Sequence, residues 1–257
     1  MRIGYDATVL LGPRTGIGYY TDFLIRYLQD DPRLSLFEYN GLSMRPLLPS
    51  EERKDSIGGV RPIIVEMAKR LPGGRSFYRR LKKVNFVKAA KQLDLFHATN
   101  YLPPAETQML ILPLIHDVSH IRHPQWHPAE RVRWLEAGAR QLLAAPLINT
   151  VSSFSAREIT ATLGIPSSRL RITSPGTNPL YRTKPKDADA SLARLGLQPG
   201  NFFLCVGALE PRKNLTTALH AYMALPPPMQ RRAPLLIVGP KGWGNLDLPS
   251  GIDKLER

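Results

Sequence analysis

The fold is decided by Phe202-Phe203-Leu204-Cys205-Val206-Gly207-Ala208-Leu209-Glu210-Pro211-Arg212-Lys213-Asn214-Leu215. The first five residues form a continuous apolar run, which predicts a strand buried on both faces. Leu215, Leu219 and Tyr222 then recur at helical spacing. We therefore predict a helix that begins near Asn214, with Asn214 as its N-cap. A strand, a short turn and a helix form the repeating unit of an α/β sheet.

Two cations, Arg212 and Lys213, lie in the turn between this strand and this helix. Ligands of open α/β sheets bind at the carboxyl ends of the strands. Free backbone N–H groups, the positive end of the helix and the two cations favour an anion there, and a diphosphate fits best. A solvated basic turn explains the same spacing equally well.

The segment 207–215, together with Leu236-Ile237-Val238-Gly239-Pro240-Lys241-Gly242-Trp243, resembles the donor-site segment of the GT4 family of retaining glycosyltransferases. The resemblance implies a two-domain α/β fold of the GT-B type, built from Rossmann-like domains. It also implies that Arg212 and Lys213 hold the diphosphate of a nucleotide-sugar donor, with Gly207 and Glu210 as further donor contacts. The implied activity is retaining transfer of a hexose, with mannose as one candidate, to a glycan or lipid-linked acceptor.

The amino-acid composition excludes several classes of protein. The 257 residues are 43% hydrophobic and 22% charged, as in ordinary globular proteins. The single cysteine, Cys205, excludes an internal disulfide and lies in the predicted buried strand. Neither an N-terminal signal nor an apolar run of membrane-spanning length occurs, so we expect a cytoplasmic protein.

The formal net charge of +14 requires an anionic partner. No basic-aromatic nucleic-acid motif and no zinc spacing occur, so we expect no nucleic-acid partner. The cations are densest within 61–91, where they alternate with apolar residues. This pattern suits helices on an anionic membrane surface, although a solvated basic helix face has the same appearance. The lipid-linked acceptors of many members of the resembled family favour the membrane.

The N-terminal residues predict a strand, Arg2 to Asp6, and a helix from about Ile17 to Asp30. A turn containing Gly16 and Gly18 separates them, and glycine lets a ligand approach the backbone closely. As a bare glycine pair this signal is weak, because helix-start glycines are common. The resemblance implies that Gly16 and Gly18 face the donor phosphates.

The apolar run from Met109 to Ile115 predicts another strand, and it ends in His116-Asp117. A histidine at the carboxyl end of a strand suits polar or proton-transfer work, but a structural histidine is also common there. Adjacent strand residues point to opposite faces, so the pair does not imply a dyad. The resemblance implies that His116 contacts the transferred sugar and orients the acceptor, with Asp117 as a weaker donor contact.

Several local predictions complete the chain. His120, His123 and His127 have metal-like spacing, but Pro124 and Pro128 interrupt the helix and carboxylates are lacking, so we expect no metal or other cofactor. We further predict a loop over 41–59, one helix over 129–145 and a hinge-like turn over 175–178. A capping box that begins at Ser155 opens another predicted helix, which stops at Gly164.

The resemblance implies domains at 1–177, on the acceptor side, and 178–257, on the donor side. Its glutamate pair, E-x-x-x-x-x-x-x-E, is absent among the ten glutamates. We therefore expect the donor domain to be incomplete, with sugar and ribose recognition missing. The alternative hypothesis is a catalytically silent protein that binds a phosphate-bearing ligand, a membrane surface or a partner subunit.

Overall fold

The computed structural model describes residues 1–12, 15–47 and 74–243. These residues divide into two compact units: Met1–Val118 with Trp134–Gly176, and Ser119–Arg133 with the described residues from Thr177 onward. Nothing in the sequence analysis separates 119–133 from its neighbours. The domain boundary at 177/178 stays a prediction.

The first unit contains a seven-stranded sheet in the order β3-β2-β1-β4-β5-β6-β7. All neighbouring strands are parallel except β2 and β3. The strands are β1 (Arg2–Asp6), β2 (Ser35–Tyr39), β3 (Met44–Pro46), β4 (Leu95–Ala98), β5 (Leu110–Ile115), β6 (Ile148–Thr150) and β7 (Leu170–Ile172). The order reverses between β1 and β4, and this switch point is where open α/β sheets bind ligands.

Helices join these strands and continue into the second unit. They are α1 (Gly16–Leu28), α2 (Gly74–Ala90), α3 (Ser119–Arg122), α4 (Ala129–Ala137), α5 (Ala139–Ala144), α6 (Ser153–Leu163), α7 (Ala188–Arg194), α8 (Leu215–Met223) and α9 (Pro227–Arg232). The second unit also holds a parallel pair of strands, β8 (Phe203–Val206) and β9 (Leu235–Val238). Within the described residues, no helix combines the length and apolar character that crossing a bilayer requires.

The core of the first unit forms where apolar strand residues meet helices. Ile115, Ile148 and Ile159 are completely buried in one cluster, and Phe86 and Phe96 pack in another with ring centroids 4.8 Å apart. Such aromatic pairs contribute about 0.5–1.5 kcal/mol beyond their buried area. The apolar runs that predicted strands therefore bury their side chains in this unit, as expected.

Three local predictions were wrong. Met44–Pro46 lies in the predicted loop but pairs antiparallel with β2. The predicted helix over 129–145 is divided at Gly138, where a Cβ would overlap the side chain of Leu102. The cap of α6 is Ser152, whose Oγ accepts from the Ser155 N–H at 3.0 Å. The predicted end of α6 at Gly164 is confirmed, with φ of 67°.

The strand β8 forms as predicted, but its predicted burial was wrong. Phe203, Leu204 and Val206 are all exposed, with Val206 at 75%, and Cys205 is half-buried. Only β9 pairs with β8 among the described residues, and no described helix covers both faces. An apolar strand is buried only where other elements cover both of its faces. The apolar run alone does not specify those covering elements.

Candidate functional site

The first group of candidate residues lies at the carboxyl edge of the first sheet, beside the switch point. His116 directly follows β5, and its Nε2 donates to the carbonyl oxygen of Thr99 at 3.1 Å. Thr99 follows β4, and its hydroxyl donates to the carbonyl oxygen of Asp6 at 2.7 Å. These bonds join the ends of three strands and fix the position of the imidazole.

Aromatic rings hold His116 from two sides. The ring of Tyr20 in α1 meets it edge-on at 5.8 Å between centroids, and the ring of Tyr101 lies at 5.9 Å. The Ser155 hydroxyl donates to the carbonyl oxygen of His116 at 2.9 Å, so the first turn of α6 also holds this backbone. The Asp117 N–H donates to the Tyr101 hydroxyl at 3.4 Å. His116 is therefore a positioned side chain at the edge where open α/β sheets generally bind ligands.

The predicted glycines lie at the start of α1, one turn before Tyr20. Thr15 caps this helix, because its Oγ1 accepts from the Gly18 N–H at 3.4 Å. Gly16 is exposed, and a Cβ there would meet no atom within 4 Å. Gly16 is thus open to solvent, whereas Gly18 is buried. Donor contact by either glycine stays a prediction.

Buried titratable groups surround this edge, and sequence analysis missed them. Burial raises the pKa of Asp6, although the N–H and hydroxyl of Thr8 both bond its carboxylate and oppose the shift. Burial lowers the pKa of His97 to about 4, and the charge of His116 acts in the same direction. Burial also raises the pKa of Tyr20. A charged residue that ends an apolar strand, such as Asp6, was the available signal.

The second group follows β8 in the second unit. Glu210 is buried, at 2% exposure, and its Oε1 accepts from Arg212 Nε at 3.0 Å and from Nη2 at 2.7 Å. The Arg212 guanidinium also lies 5.9 Å from the ring centroid of Trp243. Both contacts orient Arg212. The geometry thus gives Glu210 a positioning role, while direct donor contact by Glu210 stays a prediction.

Lys213 and Gly207 lie side by side in the same loop. A Cβ at Gly207 would come 3.6 Å from Lys213 Cε, so the lysine stem lies along the glycine backbone. The backbone of Asn214 is left-handed, with φ of 52°, and its Oδ1 accepts from the Thr217 hydroxyl at 2.8 Å. Asn214 is therefore the N-cap residue of α8, as predicted, and its side chain bonds the Thr217 hydroxyl instead of a backbone N–H.

The loops after β8 and β9 are bonded to each other. The Leu209 N–H donates to Pro240 O at 2.9 Å, and the Gly242 N–H donates to Leu209 O at 3.1 Å. A Cβ at Gly239 would overlap the carbonyl oxygen of Gly207, and glycine alone permits this approach. The second loop thereby supports the backbone that carries the two cations.

Residues 119–133 supply a further anchor within the second unit. The Trp243 indole N–H donates to the carbonyl oxygen of Trp126 at 2.9 Å, and His127 stacks against Trp243 at 6.3 Å. His123 stacks on Trp126, and His127 Nε2 lies 2.8 Å from Ser119 Oγ. These histidines thus have packing and hydrogen-bonding partners. The absence of a metal stays a prediction.

A doubly wound parallel sheet followed by a second strand–helix–strand unit is the Rossmann-like arrangement of GT-B glycosyltransferases. The crystal structure of Anabaena Alr3699/HepE in complex with UDP-glucose superposes with a TM-score of 0.56 at 16% sequence identity. The match covers 92% of this chain and 60% of that one. The predicted fold class, α/β of the GT-B type, is confirmed.

The sequence is also similar to the O-antigen chain mannosyltransferase B of Escherichia coli. The two are 30% identical over 251 residues, which are 95% of this chain. This chain spans 65% of the length of that relative. No protein-family model matches. The glycosyltransferase resemblance is confirmed, and membership of the GT4 family stays a prediction.

Proposed function

We propose that the protein takes part in transfer of a hexose, with mannose as the first candidate, from a nucleotide-diphosphate sugar to a glycan or lipid-linked acceptor. The main support for this proposal is the loop after β8, where buried Glu210 orients Arg212 beside Lys213. Similarity to an O-antigen mannosyltransferase supports the sugar class. The Anabaena protein of the same fold, crystallised with UDP-glucose, supports a nucleotide-sugar donor.

In the proposed reaction, the bond between the anomeric carbon and the diphosphate oxygen breaks, and the acceptor hydroxyl oxygen forms the new bond to that carbon. The proton of the acceptor hydroxyl passes to the leaving diphosphate. Arg212 and Lys213 stabilise the negative charge that develops on the leaving diphosphate. The proposal includes no metal: Arg212 and Lys213 are the cations that contact the diphosphate, and the resemblance adds backbone N–H groups near Gly16. His116 contacts the transferred sugar and orients the acceptor, with Asp117 beside it.

Retention of the anomeric configuration is part of the proposal. The resemblance to the GT4 family implies attack by the acceptor on the face that the diphosphate leaves, without a covalent enzyme intermediate. A cytoplasmic location belongs to the same proposal, since nucleotide sugars are the proposed donors. The GT4-type motif around Arg212 and Lys213 supports retention.

The test is transfer by the protein as its source cells produce it, with a panel of nucleotide-diphosphate hexoses and a lipid-linked glycan extract. We expect one donor to give a glycosylated product whose anomeric configuration, read by NMR, matches the donor. Replacing Arg212 or Lys213 by Ala should each lower kcat/KM about 100-fold, on the scale of one lost oxyanion donor. Unchanged turnover in the double variant contradicts these roles. Donor binding without any transfer favours the binding-only alternative.

A further inference from the structure

The helix α2 has two chemically different faces, and the inner one is accounted for by the core. Phe86 and Ala90 are buried, and Phe86 meets Tyr39 of β2 and Phe96 of β4 edge-on. The Asn85 side-chain amide donates to the carbonyl oxygen of Leu42 at 3.0 Å. These contacts fix which side of the helix faces outward.

The outer face of α2 carries apolar side chains that the core does not use. Phe77 is 70% exposed and Val84 is 57% exposed, and Leu81 and Val87 are exposed beside them. The spacing 77, 81, 84 places three of them on one stripe along the helix. Single exposed apolar residues are ordinary, but a continuous stripe indicates an interaction surface.

Cations surround this stripe. Arg80, Lys83 and Lys88 are exposed on α2, and exposed Lys91 follows directly. No acidic residue occurs between Gly74 and Lys91, so no carboxylate of the helix itself neutralises them. The residues 61–73 of the basic stretch predicted from the sequence lie outside the described residues.

We propose that the outer face of α2, defined by Phe77, Leu81, Val84, Val87, Lys83 and Lys88, binds the surface of an anionic phospholipid bilayer. The apolar stripe enters the boundary between headgroups and acyl chains, while the cations meet lipid phosphates. A second copy of the same face fits poorly, because pairing would bring like charges together. Membrane binding by this face is independent of the proposed glycosyl transfer, because vesicle binding is measured without turnover.

The test is sedimentation of the protein with vesicles of phosphatidylcholine alone or with phosphatidylglycerol added. We expect binding only to the anionic vesicles, weakened by salt as surface charge is screened. Replacing Lys83 and Lys88 by Gln should weaken binding about 25-fold, from about 5-fold for each cation. Phe77→Ser should weaken it about 10-fold through lost apolar burial.

Matched control variants distinguish binding by this face from attraction that depends only on the net charge of the protein. Arg157→Gln with Lys186→Gln removes the same net charge from exposed positions on other elements, and Phe154→Ser removes another exposed phenylalanine. We expect these controls to bind like the original protein, with equal thermal stability in all variants. Equal weakening by the two charge pairs would overturn the proposal. So would failure to bind anionic vesicles, or self-association in ultracentrifugation that Phe77→Ser abolishes.

Discussion

Arg212 takes its orientation from Glu210, and the two differ in burial. The Glu210 side chain is 2% exposed, whereas that of Arg212 is 32% exposed. A buried carboxylate that loses a hydrogen-bonding cation retains its desolvation cost. Replacing Arg212 therefore affects stability as well as ligand binding, and the two effects require separate measurements.

We expect Arg212→Ala to lower the free energy of unfolding by about 1–3 kcal/mol, because Glu210 remains buried without this partner. Chemical denaturation measures the change. The double variant Glu210→Gln/Arg212→Ala should recover part of the loss, since a neutral amide costs less to bury. An additive or larger loss in the double variant would show that the ion pair contributes nothing to folding.

Glu210→Gln alone tests the positioning role. It keeps the guanidinium but weakens the charge-assisted bonds that orient it, so we expect a several-fold loss of diphosphate affinity. Isothermal titration with a nucleoside diphosphate measures this affinity, and Arg212→Ala provides the larger reference loss. Affinity equal to that of the original protein would contradict the positioning role.

His97 makes stability depend on pH. Its pKa falls from an ordinary 6.5 to about 4 in the folded state because burial opposes its charge. The unfolded chain therefore binds more protons between pH 6.5 and 4, and the stabilisation present above pH 6.5 is lost as the pH falls through this window. The loss amounts to about 3 kcal/mol at most.

His97→Gln removes this titration. We expect unfolding free energies measured from pH 7 to pH 4 to fall less steeply for the variant than for the original protein. The raised pKa of Asp6 acts in the opposite direction in the acid part of the window, and the difference between the two proteins cancels it. Parallel curves would show that His97 does not titrate in this way.

Single residues were predictable where a local motif carries them. Arg212 and Lys213 lie in the turn after β8, and His116 follows the end of β5, as their local motifs predicted. Their functional roles stay predictions. Tyr20, Thr99 and Tyr101 were missed because they meet His116 only after three separate segments fold together. Spacing along the chain contains no information on such contacts.

At the scale of elements, the loops after β8 and β9 act as one support for the cations. Gly239→Ala would place a methyl group against the carbonyl oxygen of Gly207. We expect this overlap to cost about 1–3 kcal/mol of unfolding free energy. Thermal denaturation measures it, with Gly176→Ala as the control, because a Cβ there meets no atom within 4 Å. Equal effects of the two variants would contradict the role of close loop packing.

Whether a segment forms a strand or a helix was more predictable than where a helix is interrupted or capped. The apolar run from Met109 to Ile115 predicted β5 correctly, because burial in a parallel sheet favours such runs. The division at Gly138 was not predictable from spacing, and the side chain that leaves no room for a Cβ there, Leu102, is distant in sequence. Ser152 and Ser155 both fit a cap, and only the backbone geometry distinguishes them.

Across the whole molecule, burial is uneven between the two units. Residues 4–6 of β1 are buried, whereas most of β8 is exposed. Local opening costs less where few side chains are buried. We expect the amides of 204–206 to exchange with deuterium faster than those of 4–6, as measured by mass spectrometry. Equal protection would indicate that both units open together.

In the proposed function, the bond between Glu210 and Arg212 gives the two cations different tasks in binding the diphosphate. The carboxylate offsets the long-range field of Arg212, while the remaining guanidinium N–H groups keep their direction. Among the described residues, Lys213 forms no salt bridge, so its charge acts at longer range. We therefore expect ionic strength to affect mainly the contribution of Lys213, which acts on the rate at which the anion encounters the site. Arg212 governs the geometry in which that anion stays.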